Sequence, residues 1–364
     1  MGRKDADKVI ARIERDALSR RTFMAGSAAA VAAATLAPPR VAHALGTAAG
    51  KSLAATPPAG FVPFSAPGRI VQVTKHDCLM PNQLYPKADD AKAMLERAMT
   101  ELTGKPNLVE AVRMFVHPQD KVCVKINGIA LANMGTNKEL VLPFLQAMID
   151  SGVKPQNITV LEQYGSFLAG TRVNAQNVPA GVQVTVHNNS DATMDELLIQ
   201  GTGVSTKFVR ALTESTAAIN FSLIKDHGIC GYTGCLKNMT HGCQILPHYF
   251  HTHHASPQIA LLYAQDVVKS RVRLNITDGF KLMADGGPLW RQPRYVFPHE
   301  SVYVTTDPVA MDAIGLDLVE KARAEHKLPT LAALGRPAAY IQEAADLGLG
   351  IADRSQIQLK TVAI

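Results

Sequence analysis

From Arg69 onward, short apolar β-branched runs alternate with helical patterns, and that alternation limits the fold more than any other feature of the chain. The runs are RIVQVTK, KVCVKI, NITVLE, VQVTV, TAAINFSLI, VRLNITD and SVYVTT. Helical periodicity occupies 89–102, 138–151, 257–269 and 307–324. Parallel strand neighbours need crossover connections, usually helices. The pattern therefore predicts an α/β fold with a mostly parallel central sheet and helices on both faces, as one large domain or two lobes.

Polar residues fall where the strand patterns stop. Lys125 and Asn127 end one run, Glu162 another, Asp226 and His227 a third, Asp278 and Gly279 a fourth. In open α/β sheets ligands bind beyond the carboxyl ends of strands, so these residues are expected to face one crevice. Asn, Asp and Gly also serve as ordinary turn formers. Asp307-Pro308 reads as an N-cap followed by Pro at the first helical position, which leaves Asp312 to point elsewhere.

Six of twelve histidines lie between 227 and 254, interleaved with Cys230, Cys235 and Cys243 in KDHGICGYTGCLKNMTHGCQILPHYFHTHH. Glycines at 228, 231 and 234 permit close backbone approach. A helix starting near Thr233 would aim free N–H groups at an anion, with Lys237 adding positive charge one turn in. Imidazoles serve as ligands for zinc, nickel, copper and iron or as acid–base groups near neutral pH. His251 and His254 share a face if the segment is helical, whereas His251 and His253 do if it is extended. Cys123, inside the alternation of KVCVKI, reads as a core thiol. Five cysteines are too few for a disulfide scaffold, and the spacing of Cys230, Cys235 and Cys243 matches no standard zinc or iron–sulfur pattern.

The N-terminus carries an address. Ser19-Arg20-Arg21-Thr22-Phe23-Met24, the apolar run from Ala25 to Ala37 and the small-residue site Ala42-His43-Ala44 read as a twin-arginine export signal over residues 1–44. The apolar run is shorter than a spanning helix needs, so no stable membrane span is expected after cleavage. Residues 45–68, rich in Ala, Pro and Gly, read as a tether or surface-wrapped leader ahead of an α/β domain over 69–364. Of the +6 formal charge, eight basic and four acidic residues belong to the signal, which leaves +2 and removes the electrostatic case for nucleic-acid binding. The expected location is periplasmic or otherwise outside the cytoplasm. The twin-arginine translocase is the expected first partner, and its preference for folded cargo favours a cofactor.

VKIN (Lys125 to Asn127), IKDH (Lys225 to His227), GYTGCLKNMTHG, TDGF, GGP and DPVAMDA together resemble the family catalogued as domain of unknown function 362, over about 69 to 320. Some members of that family carry ferredoxin-like cysteine clusters, whose CxxCxxC repeats are missing from this sequence. A more distant similarity is to the nickel-pincer lactate racemase family. There a His is followed ten positions later by a Lys and sixteen after that by a second His, as are His227, Lys237 and His253 here. That resemblance implies proton transfer by His227, covalent cofactor attachment at Lys237 and nickel ligation by His253.

Taken together, the expected protein is an exported metal- or cofactor-dependent enzyme that transfers a proton on a small organic acid or similar anion. His227, Lys237 and Lys125 are the expected catalytic residues. Lys237, Asn238, Asn127 and Asp278 form the cofactor-binding set, and His253, His251, Cys235 and Cys230 are the metal ligands, for nickel, iron or zinc. The alternatives are an iron–sulfur or other metal redox protein built on the cysteines, and a non-catalytic metal or small-ligand binder.

Overall fold

The computed structural model describes residues 53–289 and 292–364. The twin-arginine motif and the alanine-rich run lie outside the described residues. The strands are β1 (Arg69–Thr74), β2 (Val122–Lys125), β3 (Ile158–Glu162), β4 (Gln183–Val186), β5 (Leu197–Ile199), β6 (Val204–Thr206), β7 (Ala217–His227), β8 (Gly231–Thr233), β9 (Val272–Met283), β10 (Val296–Thr305) and β11 (Gln358–Ala363). The helices are α1 (Ala88–Thr103), α2 (Leu108–Val112), α3 (Leu131–Met134), α4 (Lys138–Asp150), α5 (Gly165–Thr171), α6 (Arg210–Thr213), α7 (Cys235–Thr240), α8 (Gln258–Tyr263), α9 (Asp266–Lys269), α10 (Pro308–Glu325) and α11 (Tyr340–Asp346).

Nine strands form one sheet in the order β11-β1-β10-β9-β7-β2-β3-β4, with β8 beside β7. Strands β9, β7, β2, β3 and β4 run parallel, as do β1 and β11, whereas β10 is antiparallel to both of its neighbours. The sheet is thus mostly parallel, as the alternation of runs requires. β5 and β6 form a separate antiparallel pair. The described residues pack as one compact unit.

Both faces are covered, and the period-2 alternation of the strands divides them. On one face Val71, Val73, Val122, Val124, Ala217, Ile219 and Phe221 pack with Met94, Leu95, Phe115 and Phe144 from the α1, α2 and α4 side. On the other, Ile70, Cys123, Ala218 and Ile224 pack with Leu236, Met239, Ile259, Val309 and Tyr340 from α7, α8, α10 and α11. Cys123 is a fully buried core thiol.

The leader wraps the surface. Arg271 Nη1 donates to Leu53 O at 2.8 Å, Phe64 N donates to Met114 O at 2.8 Å, and the Phe64 ring packs edge-on against Phe115. Asp307 caps α10 through Ala310 N at 2.9 Å and also accepts from Gly68 N at 2.9 Å, fastening the end of the leader to the body. No helix among the described residues is long and apolar enough to cross a membrane.

Candidate functional site

Because β2, β3 and β7 run parallel, their carboxyl ends deliver Lys125, Glu162 and His227 to the same edge of the sheet. Regular pairing between β7 and β9 breaks between Leu223 and Ile224, just before Lys225, and the chain then folds back as β8. At Gly231 φ is +80°, and an added Cβ would stand 2.1 Å from Arg336 O, so the hairpin closes only with glycine there. Gly234 opens α7. Asp312 of α10 accepts from Cys235 N and from Leu236 N (3.1 Å), which satisfies two of that helix's free donors. Burial pushes the Asp312 carboxyl up to about 7 against the opposing effect of those bonds.

Helix α7 carries Lys237 over the end of β7. The Lys237 Nζ atom lies 2.6 Å from His227 Nε2, 3.0 Å from His251 Nε2 and 3.2 Å from Cys230 Sγ. Backbone groups decide where the protons sit. His227 Nδ1 accepts from Ile229 N at 3.1 Å and Cys230 N at 3.4 Å, so a neutral His227 carries its proton on Nε2. His251 Nδ1 donates to Pro247 O at 2.8 Å, so its Nε2 is an acceptor. The Cys230 thiol donates to Tyr232 O at 3.1 Å, leaving the sulfur to accept. One state of Lys237 satisfies all three neighbours: a neutral amine whose lone pair accepts from His227 and whose two protons go to His251 and Cys230. An ammonium would set a proton against the Nε2–H of His227.

Electrostatics agree with that inventory. Burial, then the neighbouring Lys237 and His251, hold His227 well below the ordinary imidazole range. Burial lowers Lys237 and raises the Cys230 thiol, so both tend to neutrality. His241, also held low by burial and then by Lys237, sets its ring edge-on to His251 at 4.6 Å between centroids, while His227 stacks on His251 at 5.4 Å. His227 and Lys237 are buried and His251 is half-buried, so the amine is nearest solvent on the His251 side.

A second polar group lies beneath. Lys125 Nζ pairs with Glu162 Oε2 at 3.0 Å, and Gly128 N donates to the same oxygen at 3.2 Å. Lys225 Nζ donates to Asn127 Oδ1 at 3.1 Å, Asn127 Nδ2 to Asn238 Oδ1 at 3.2 Å, Asn238 Nδ2 to Asn220 Oδ1 at 2.7 Å and Asn220 Nδ2 to Asn275 Oδ1 at 2.8 Å. The ladder ends at Asn275 Nδ2, which is buried without a partner. Burial, opposed by Glu162 and reinforced by Lys237 and Lys125, brings Lys225 down to about 7. Arg336 anchors the strand end, donating to His227 O at 2.6 Å and pairing with Asp226. Burial raises Asp226 to about 6 despite that arginine.

The structure therefore brings His227, Lys237, His251 and Cys230 together, and joins Asn127 to Asn238 just below, with Lys125 on Glu162 at the same sheet edge. Three expected residues lie apart. Asp278 accepts from Asn137 N at 2.7 Å and Asn137 Nδ2 at 2.9 Å, tying down the start of α4. Cys235 Sγ sits 3.1 Å from Ser222 Oγ on the sheet, away from the Cys230 thiol's partners. His253 is exposed in a left-handed turn with φ of 50°, so the histidine beside Lys237 is His251. Among the described residues no group of three or more His, Cys, Asp or Glu side chains could hold a metal ion. The point on which His227, His251 and Cys230 converge is filled by the Lys237 amine. Neither the expected nickel, iron or zinc ligand set nor a cysteine cluster is assembled among the described residues. Sequence reasoning gave no role to Lys225, Asn220, Asn275 or Arg336. The signal for the first three was available: polar residues in the middle of apolar strand runs.

Fold and site together define an α/β protein with a buried lysine–histidine centre at the carboxyl edge of parallel strands. The chain belongs to the family described as Domain of unknown function (DUF362), whose model matches residues 122–317, just over half of its length. That span includes every residue of the centre but not Arg336. No curated protein matches the chain.

Proposed function

We propose that this protein is an enzyme of proton transfer acting on a small organic anion, and that it works outside the cytoplasm after twin-arginine export. The carrying observation is the Lys237 amine held 2.6 Å from His227 Nε2 and 3.0 Å from His251 Nε2, with proton positions dictated by backbone partners. His227 presents an N–H, His251 presents a lone pair, and the amine between them is a base that needs no deprotonation. Glu162 pairs with Lys125, so Lys225, buried and bonded to the neutral amide of Asn127, is the cation that favours an anionic occupant when it is protonated. This reading needs neither a tethered cofactor at Lys237 nor a metal at the histidines, the chemistry being carried by the side chains themselves.

The test is uptake of solvent deuterium into the carbon-bound hydrogens of a panel of short 2-hydroxy and 2-oxo acids, followed by proton NMR. Wild-type protein is expected to exchange at least one member of the panel. Loss of exchange in a folded His227→Ala variant supports the assignment, and undiminished exchange in that variant defeats it. Replacing Arg20 and Arg21 together by Lys is expected to keep the protein in the cytoplasm, as read by fractionation; unaltered export would remove the location from the reading.

A further inference from the structure

Lys237 is more than a base. We infer that Lys237 is a carbonyl-trapping nucleophile that condenses with a short oxo acid to form an imine, with His227 and His251 placed to serve the two sides of that condensation. The inference deepens the proton-transfer reading of the same centre and rests on it for the location of the substrate.

Nucleophilic attack on a carbonyl needs a neutral amine, an electrophilic assistant for the carbonyl oxygen and an acceptor for the amine protons. All three are already aligned. The Lys237 lone pair receives the Nε2–H of His227 at 2.6 Å, and one of its own protons already points at His251 Nε2 at 3.0 Å. A carbonyl entering from the half-buried His251 side takes over the hydrogen bond that His227 now gives to the amine. His227 keeps its proton and polarises the oxygen as a neutral imidazole.

The step balances without an outside reagent. The amine lone pair forms the carbon–nitrogen bond while the carbonyl π pair moves to oxygen. His251 Nε2 takes one proton from the new ammonium and returns it to that oxygen, giving a carbinolamine. The nitrogen lone pair then expels the hydroxyl, which leaves as water with the second amine proton carried over by His251. One amine and one carbonyl thus become one imine and one water, with no change of oxidation state. The resulting imine withdraws electrons from the adjacent carbon and eases removal of its hydrogen, which links the condensation to proton transfer. Buried Lys225, whose hydrogen bond goes to the neutral amide of Asn127 while Glu162 pairs with Lys125, favours a carbonyl compound that carries a carboxylate over a neutral one.

The experiment is reductive trapping. Full-length protein is incubated with pyruvate and borohydride, digested, and each lysine peptide is mapped by mass spectrometry, with methyl pyruvate run as the uncharged match. The expected result is one reduced adduct per chain on Lys237, formed faster with pyruvate than with the ester, absent from Lys237→Arg and slowed by roughly a hundredfold in His227→Gln. Mapping on wild-type protein decides the matter even if a variant does not fold. Adducts scattered over exposed lysines with Lys237 unmodified overturn the inference, and an ester that traps as fast as the acid overturns its substrate class. Deuterium exchange with Lys237 never trapped leaves proton transfer standing and removes the imine. Lys237 trapping with no exchange does the reverse.

Discussion

The two faces of the sheet are made by the same strands, and along the middle of β7 they differ in kind. Along β7, Ala217, Ile219 and Phe221 enter an unbroken hydrocarbon layer, with Phe221 edge-on to Phe144 at 5.6 Å. On the opposite face of that strand, Asn220 and Ser222 are equally buried but meet amides, a thiol and a hydroxyl. Burial alone therefore does not separate scaffold from site. What separates them is whether each buried polar group has been given a partner, because an unmet one costs about 1–3 kcal/mol. The polar face meets that demand almost completely, and the few atoms it strands, such as Asn275 Nδ2, stand out for that reason.

The comparison is sharpest where the expected effects are largest. His227→Ala is expected to lower turnover by roughly 10²- to 10⁴-fold with the fold retained, measured by deuterium exchange beside circular dichroism. Phe221→Ala, one strand position beyond Asn220, is expected to cost about 3–5 kcal/mol of stability in denaturant melts and to reduce activity only through the folded fraction. If Phe221→Ala instead abolished turnover in fully folded protein, the division between the faces would fail. Glu162→Gln, which leaves Lys125 charged and buried, is expected to cost about 3 kcal/mol in the same melts.

Smaller effects test the charge states. Lys225, brought to about 7 in the folded chain, is protonated in the unfolded chain up to about 10. Between pH 7 and 8.5 the unfolded state binds more protons at this residue, so its contribution to stability rises with pH, by about 1.5 kcal/mol. Lys281, lowered to about 8, acts in the same direction, whereas Asp312, raised to about 7, and the five raised cysteines, whose unfolded thiols begin to ionise below pH 8.5, act against it. The lysine is therefore read by difference: across this window the denaturant midpoint of Lys225→Met should fall relative to that of wild-type protein, and a constant gap between the two would mean that the lysine stays charged. The smallest expected change belongs to His253→Ala, within about 0.5 kcal/mol and without loss of turnover, because the side chain is exposed. A large loss there would restore the ligand role its spacing suggested.

The apolar face was legible from the chain and the polar one only in part. The runs RIVQVTK, KVCVKI and NITVLE became β1, β2 and β3, and the helical pattern over 138–151 became α4, because alternation and periodicity report burial of hydrocarbon directly. β11 escaped notice because its residues are nearly all exposed and show no alternation. The pattern over 257–269 contains α8 and α9 rather than one helix. In the site, His227, Lys237 and Cys230 followed from density of chemistry in one loop. The choice between His251 and His253 could not, since it depends on a left-handed stretch at residues 253–255 that neither a helical nor an extended periodicity describes. Lys225 was passed over although its signal was present, a charged residue closing a strand run whose apolar neighbours look like plain core.

The amide ladder has a consequence of its own. A lysine ammonium can only donate, so Lys225 obliges Asn127 to turn its oxygen toward it, and two backbone carbonyls hold the next amides to the same heading, Asn238 Nδ2 donating also to Phe221 O at 3.0 Å and Asn220 Nδ2 to Cys235 O at 3.0 Å. Four side-chain dipoles are thereby set head to tail by one ion at the rim and two carbonyls within. The arrangement behaves as a weathervane on a fixed mast: a change of charge at the sheet edge frees the heading of Asn127, while the two carbonyls keep Asn238 and Asn220 in line beneath it, so a reorganisation at the surface of the centre stops one amide deep.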